Sequence, residues 1–272
     1  MTIAVIWQED GFLWCAADTR LVEGKKDEPT TDVATKIYTI PLVTAALNET
    51  IHRQPHYWTQ FGFVYAGAAL PASMTAITAS TLLQSLARPG DKADPPKFEE
   101  IAEFVRRLSD RFMRDRRQFG GDGLFSAAFF GWCTHEMKYK VAHIDGRIDG
   151  GAFRVELHFP EPPAVDKQPW LVLGSASSAF TSAFESYKDT EPYIRMRVPR
   201  RVIEKMVAES TDQTVGGATS IGAANQFGFE LYYALEPIVP GQPAARRVFN
   251  GLDLDTEVGH VGQYLVAAKG LA

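Results

Sequence analysis

The stretch Thr2–Leu21, TIAVIWQEDGFLWCAADTRL, constrains the fold of this chain more than any other segment. Two short apolar runs, 2–8 and 12–18, flank Glu9, Asp10 and Gly11, and Asp-Gly between apolar runs is a strong hairpin signal. Residues near a terminus usually fray, but Ile3, Val5, Ile6, Trp7, Phe12, Leu13 and Trp14 supply enough apolar surface to bury both strands inside a sheet. A buried strand then starts at the second residue. Removal of Met1, common when the next residue is as small as Thr, leaves Thr2 with an α-amine and a hydroxyl on adjacent carbons. Such a residue is a nucleophile that carries its own base.

The 272 residues suffice for a sizeable core, and no linker-like segment divides them, so one large domain over 1–235 is expected, followed by a C-terminal extension, 236–272. A content of 45% hydrophobic and 22% charged residues is that of a soluble globular protein. The net charge of -5 gives no electrostatic reason to bind nucleic acid or an anionic membrane. No apolar run is long enough to span a bilayer, and the start lacks the basic and apolar regions of a secretory signal, so a cytoplasmic location is expected. Cys15 and Cys133 lie in apolar, strand-like runs and read as small buried hydrophobes. His52 and His56 are four apart, but Pro55 between them spoils the helix that would align them on a metal, and no metal or other cofactor is expected.

Along the chain, 22–32 reads as a solvated loop and 33–42 as a strand with Lys36 set among apolar neighbours. A turn over 48–58 precedes a strand over 61–66 that stops at Gly67, and a helix follows over 68–86, with Pro71 in its first turn. After a Pro/Asp-rich breaker, 98–119 is the clearest helix, with Phe98, Ile101, Phe104, Val105, Leu108 and Phe112 on one face, acids early and arginines late. Its basic run, 111–117, reads as a solvated face or subunit contact. Strands are expected over 124–133, 138–144, 152–159 and 170–173, then helices ending near 188 and 210. A turn at 212–217 leads to strand material over 218–235 and a tail with no clear assignment. Blocks of strands alternating with helix pairs fit antiparallel sheets between helix layers better than a doubly wound parallel sheet.

Singly, Asp18 and Arg20 would read as a turn and a surface pair, and Lys36 as a snorkelling strand residue. In order, however, the chain carries Thr2 after Met1, then Ala16-Ala17-Asp18-Thr19-Arg20, Lys36-Ile37, Ala66-Gly67 before a helix, Gly174-Ser175-Ala176-Ser177 before another, and Asp212 with Gly216-Gly217 before a late strand. This set resembles the proteasome β-subunit and HslV family of N-terminal threonine hydrolases, from Thr2 to about Tyr233. The resemblance implies an α+β fold, the four-layer αββα N-terminal nucleophile (Ntn) hydrolase sandwich of two antiparallel sheets between helix layers. It implies a threonine peptidase in which the Thr2 hydroxyl attacks the peptide carbonyl and the α-amine takes the proton. Lys36 matches the lysine beside that threonine, Asp18 its carboxylate partner, and Gly67 the glycine whose N–H stabilises the oxyanion. Ser175 and Asp212 match the pair around the amine. Substrate contacts are implied at Leu21, Tyr65 and Ala69. Tyr65 matches the position that floors the primary specificity pocket in this family, where a bulky phenol implies small or medium residues before the scissile bond.

Three departures from the family pattern stand out. Val215 occupies the place of a second serine three residues after Asp212, the loop before Lys36 is about two residues longer, and Thr2 follows Met1 directly with no propeptide. The implied partners are peptides or unfolded proteins, copies of the chain in stacked homo-oligomeric rings, and an ATP-dependent unfoldase. The added length suggests one of the other bacterial proteasome-like groups, Anbu or the betaproteobacterial homologue, with the opening hairpin looking less like Anbu. Two other functions remain open: a ring scaffold that has lost turnover, and an Ntn amidase acting on a small molecule.

Overall fold

The structure, a computed structural model, describes residues 2–23, 28–46, 55–88, 95–187, 197–209, 212–236, 245–266 and 268–271. Met1 and His52, both named above, lie outside this set. The chain opens with β1 (Ala4–Glu9) and β2 (Phe12–Asp18), paired antiparallel with Glu9 opposite Phe12. Asp10 and Gly11 both take positive φ, 52° and 77°, as a two-residue turn that follows the twist of its strands requires. Glu9 is fully buried beside this turn, and its carboxylate accepts from the Trp7 indole and the Arg197 N–H, each at 2.9 Å.

The segment expected to be a solvated loop instead holds a short antiparallel pair, β3 (Leu21–Glu23) and β4 (Glu28–Thr31). The chain has to reverse here, because Ala34 returns to donate its N–H to the Thr19 carbonyl at 2.9 Å. The next strand, β5 (Ile37–Ala46), starts four residues later than the alternation suggests, so Lys36 stands just ahead of the strand. There follow β6 (Pro55–Gly67), α1 (Ala69–Leu83), β7 (Leu86–Arg88), α2 (Phe98–Gln118), β8 (Phe125–Cys133), β9 (Lys138–Asp149), β10 (Ala152–His158) and β11 (Pro169–Leu173). Then come α3 (Ser177–Tyr187), α4 (Val198–Glu209), β12 (Thr219–Asn225) and β13 (Gly228–Glu236). The tail forms β14 (Arg246–Phe249), β15 (Leu252–Asp253), one π-helical turn (Leu254–Val258), β16 (His260–Val261), β17 (Tyr264–Leu265) and β18 (Lys269–Leu271).

Two compact units result, an α+β pair of sheets each with its own helices. The first draws on Met1–Ile37, Pro163–Ala223 and Leu231–Ala272, with strand order β11-β1-β2-β12-β13-β14-β15. Ile3, Val5, Trp7 and Ala16 from one face of its first strands pack with Phe180 and Phe184 of α3 and with Val202, Ile203 and Met206 of α4. The second unit, Tyr38–Pro162 with Ala224–Glu230, has strand order β10-β9-β8-β6-β5-β7. Phe61, Phe63, Phe125 and Phe129 of its strands pack on Ala72, Ala76 and Ala79 of α1 and on Phe98, Ile101 and Val105 of α2. The pairings β6–β8–β9–β10 and β11–β1–β2 are antiparallel, but β7 joins β5 and β18 joins β13 in parallel, two exceptions to the expected antiparallel pattern.

Helix α2 follows its sequence closely. Glu100 reaches back to the Lys97 N–H at 2.7 Å, and Glu99 and Glu100 face the positive end while Arg116 and Arg117 face the negative one. The basic run is neutralised locally by Arg111–Asp115 and Arg114–Asp110 pairs, and Arg114 and Arg117 lie over the Phe153 ring. Both cysteines are buried, and burial pushes the Cys15 thiol up, away from a reactive thiolate.

In β18, Leu271 pairs beside Ala234 and joins the apolar cluster that contains Val5 and Trp7. Leu271→Ala is therefore expected to cost about 2 kcal/mol in urea unfolding, the low end for a leucine at a core margin. A loss below roughly 0.5 kcal/mol, the range of surface substitutions, would show that the last strand adds nothing to the core.

Candidate active site

Asp18 ends β2 with its side chain wholly excluded from solvent, where an ionised carboxylate survives only if its oxygens are occupied by donors. They are. Oδ1 accepts from Lys36 Nζ at 2.8 Å and from the Ile3 N–H at 3.1 Å; Oδ2 accepts from the Gly216 N–H at 3.2 Å and the Arg20 N–H at 3.3 Å. Lys36 is equally buried, with Asp18 as its acceptor. Burial pushes the Asp18 carboxyl up and the Lys36 ammonium down, each opposed by the attraction of the other, so Lys36 gives up its proton more readily than a lysine in water. Lys36 and the Ile3 N–H, which belongs to the peptide bond of Thr2, thus share one carboxylate oxygen. Thr2 itself is 1% exposed, two residues ahead of β1.

Around the pair, three segments are braced together. The Thr19 hydroxyl donates to the Asp32 carbonyl at 2.6 Å and accepts from the Ala218 N–H at 2.7 Å. The Arg20 guanidinium makes a two-pronged contact with Asp32, at 2.6 and 3.0 Å, and donates to the Gln213 carbonyl at 3.2 Å. The paired hydrogen bonds push the Arg20 pKa up and hold the Asp32 carboxyl below the usual range. Two glycines make the close approaches possible. A Cβ on Gly217, where φ is 74°, would stand 2.4 Å from the Asp32 carbonyl oxygen, and one on Gly174, where φ is 105°, would stand 1.7 Å from the Thr2 carbonyl oxygen.

Of the residues singled out by sequence, Thr2, Asp18 and Lys36 are brought together in the first unit. Ser175 follows Gly174 and so lies beside the Thr2 backbone, with its side chain exposed. Asp212 is half-buried, and its Oδ1 accepts from the Thr214 N–H at 2.8 Å and the Thr214 hydroxyl at 2.5 Å. Among the described residues no hydrogen bond joins Ser175 or Asp212 to Thr2. Val215 is fully buried in the cluster that also holds Ile3 and Ala176, so the place of the second serine is a core position here. Leu21 is half-buried in β3.

Gly67, Tyr65 and Ala69 belong to the second unit. Gly67 has φ of 110° at the end of β6, and a Cβ there would meet the Leu124 carbonyl at 2.7 Å. Tyr65 is buried, its ring stacked 6.4 Å from that of Tyr38, and Ala69 opens α1. Sequence reasoning missed the Gly216 amide, Thr214 and the strength of the Arg20–Asp32 contact. The signal for the first was the Gly216-Gly217 doublet itself, since two glycines after an acid mark backbone brought close to something.

Among the described residues no group of three or more His, Cys, Asp or Glu side chains converges as a metal would require, and no helix is long and apolar enough to cross a membrane. No protein-family model and no curated protein matches this sequence. Among solved structures the chain is similar to a mutant form of Anbu from Hyphomicrobium sp. strain MC1, at 15% identity over 85% of this chain and 84% of that one, with a TM-score of 0.54. The likeness is one of fold, and it falls to the group from which the opening hairpin seemed to point away.

The two members of the buried pair are unequal. Asp18→Ala strands the Lys36 ammonium and leaves the Ile3 and Gly216 N–H groups without this acceptor, the Arg20 N–H keeping the Gly216 carbonyl at 3.1 Å, so a loss of about 3–5 kcal/mol is expected. Lys36→Met removes one charge and leaves the carboxylate its three amides, for a loss of about 1–3 kcal/mol. Urea unfolding of both variants checks this order; a larger loss for Lys36→Met would show that the amides do not sustain the carboxylate alone.

Proposed function

We propose that this protein is an N-terminal threonine peptidase of the proteasome-like kind, cytoplasmic and assembled in stacked rings, with Thr2 freed by removal of Met1. The observation that carries the reading is the single Asp18 oxygen shared by Lys36 and the Ile3 amide, which ties a buried cation and the peptide bond following Thr2 to one acceptor. The fold likeness to Anbu supports it. The reading takes the two sheet-and-helix units as the halves of a four-layer Ntn sandwich, with residues 236–272 an addition to that core.

In this mechanism the Thr2 hydroxyl adds to the substrate carbonyl while the free α-amine takes its proton. An α-amine has a pKa of about 7.7–8.0, near working pH, and the neighbouring Lys36 charge keeps it neutral. The tetrahedral oxyanion is met by the Gly67 N–H. Collapse expels the amine fragment, which takes the proton from the α-amine, and leaves an ester on Thr2 that water cleaves by the same route. Ser175 and Asp212 bound the amine, and Leu21, Tyr65 and Ala69 hold the substrate, with Tyr65 limiting the pocket to small or medium residues. An unfoldase supplies extended substrate to the ring interior.

A second reading, a ring scaffold without turnover, draws on one observation: Asp212 is engaged by Thr214, and the neighbouring serine position is a buried valine. The intact mass of the protein before and after a peptide epoxyketone separates the two. That warhead forms its ring only when amine and hydroxyl belong to one terminal residue. A mass lacking Met1 and gaining one adduct, absent in Thr2→Ala, is the expected result, whereas retention of Met1 with no adduct would favour the scaffold. Profiling on a peptide library is expected to return small or medium residues before the cleaved bond, and large aromatic residues there would reject the role of Tyr65. Negative-stain images distinguish rings from the small oligomer expected of a small-molecule amidase.

A further inference from the structure

The tail after β13 contains a tight hairpin, β14 to β15, in which Phe249 pairs with Leu252 across Asn250 and Gly251. Both turn residues have positive φ, 51° and 85°, the two-residue form that Asn-Gly favours. A hairpin tip of this type normally projects into water. This one does not: Asn250 is 7% exposed. Its amide accepts from the Ser220 hydroxyl at 2.6 Å and donates from Nδ2 to the Thr35 hydroxyl at 3.2 Å. Gly251 packs against the same segment, since a Cβ there would stand 3.1 Å from both the Asp32 carbonyl oxygen and a Val33 methyl.

The Asp32 carbonyl thus has both Gly251 and Gly217 packed close to it, and it accepts the Thr19 hydroxyl. Thr35 is the residue immediately before Lys36. Residues 32–36 carry no ladder of their own, because β5 begins only at Ile37. Their placement therefore rests on the Ala34 N–H to Thr19, the Arg20–Asp32 contact, the Lys36–Asp18 pair and this turn. The charged groups acting on Lys36 are Asp18, Arg20 and Asp32, all within that braced set.

We propose that Asn250 is a positioning residue: the β14–β15 turn of the C-terminal segment, through Thr35, holds the Lys36 segment in the register at which its ammonium meets Asp18 beside Thr2. The catalytic consequence rests on the peptidase reading above; the placement of residues 32–36 does not. The tail is on this account part of the site's support. Misplacing the ammonium weakens its effect on the Thr2 amine, whose pKa then rises toward the ordinary α-amine value, so the ascending limb of kcat/KM moves to higher pH.

The test uses the full chain and two readouts, one independent of activity. Asn250→Gly keeps a turn that accepts positive φ and removes both side-chain bonds; Thr35→Val removes the acceptor from the other side, and Thr35→Ser keeps it. Amide exchange read by mass spectrometry over 31–37 is expected to quicken about tenfold in Asn250→Gly and Thr35→Val, and to stay at the wild-type rate in Thr35→Ser. The rate of epoxyketone adduct formation on Thr2 is expected to fall about tenfold in the same two variants, with an alkaline shift of its pH profile, and the double variant should be no worse than either. Unchanged exchange over 31–37 in Asn250→Gly and Thr35→Val, or an adduct rate and pH profile like the wild type's, would overturn the proposal. A wild-type protein that takes no adduct while exchange still responds would reject the peptidase reading and leave the positioning of the Lys36 segment standing.

Discussion

One buried carboxylate organises the first unit. Asp18 has no water, so both of its oxygens must be filled by protein donors, and the four that fill them come from four separate places: Ile3 at the start of β1, Arg20 beyond the end of β2, Lys36 ahead of β5, and Gly216 in the turn before β12. Each donor is fixed by the same group, so the four segments are fixed relative to one another. Thr2 inherits its place from this arrangement, because the Ile3 amide that binds Asp18 closes the peptide bond of Thr2. Backbone amides supply three of the four donors. Their direction is set by the chain and not by rotamers, which makes the carboxylate a rigid reference point for the long lysine side chain.

Much of the fold was legible because local and global preferences agree there. The Asp10-Gly11 turn has one solution that suits twisted strands, and α2 carries a complete amphipathic stripe with its charges arranged along the helix axis. Where the sequence misled, tertiary contacts override a local pattern. Residues 33–36 alternate as a strand would, yet they are claimed by Thr19, Arg20 and Asp18 and join no ladder until Ile37. The polar composition of 22–32 suggested a loop, but the need to return Ala34 to Thr19 closes it into a short strand pair. The tail resisted assignment because its strands are two to four residues long. Such elements owe their existence to the partner they pair with, and β18 reaches its partner β13 in parallel from more than thirty residues away.

The candidate site was legible to the extent that its chemistry depends on residues brought to one carboxylate. Asp18 and Lys36 stand eighteen residues apart in sequence and meet at 2.8 Å. The surroundings of Asp212 were not legible, since nothing in the local pattern announces that Thr214 would turn both its hydroxyl and its amide onto the same oxygen. Val215 was seen only as a departure. The structure gives the departure a physical content, because a serine at that point would have to bury a hydroxyl among Ile3, Ala176 and their neighbours. Asn250 carried the plainest local signal in the tail, Asn-Gly between apolar residues, but the partner that buries it, Thr35, is far away in sequence and could not be read from the motif.

The choice between a working site and a decayed one turns on what each feature requires. A buried ion pair is a weak source of stability, and well-packed apolar residues of similar volume commonly do as well or better. A scaffold would keep Asp18 for the backbone amides it ties together but has no need of a charged partner at Lys36, whereas on the peptidase reading a base that must stay neutral gains directly from a cation held by the same carboxylate. The features on the other side of the balance cost less than they first suggest. Thr214 occupies only Oδ1 of Asp212, and a carboxylate has acceptor capacity on both oxygens. On the same reading, Val215 in place of a serine removes a hydroxyl near the amine without removing a charge. On the peptidase reading such a change weakens the orientation of the base and slows turnover, but leaves Thr2 and Lys36 in place.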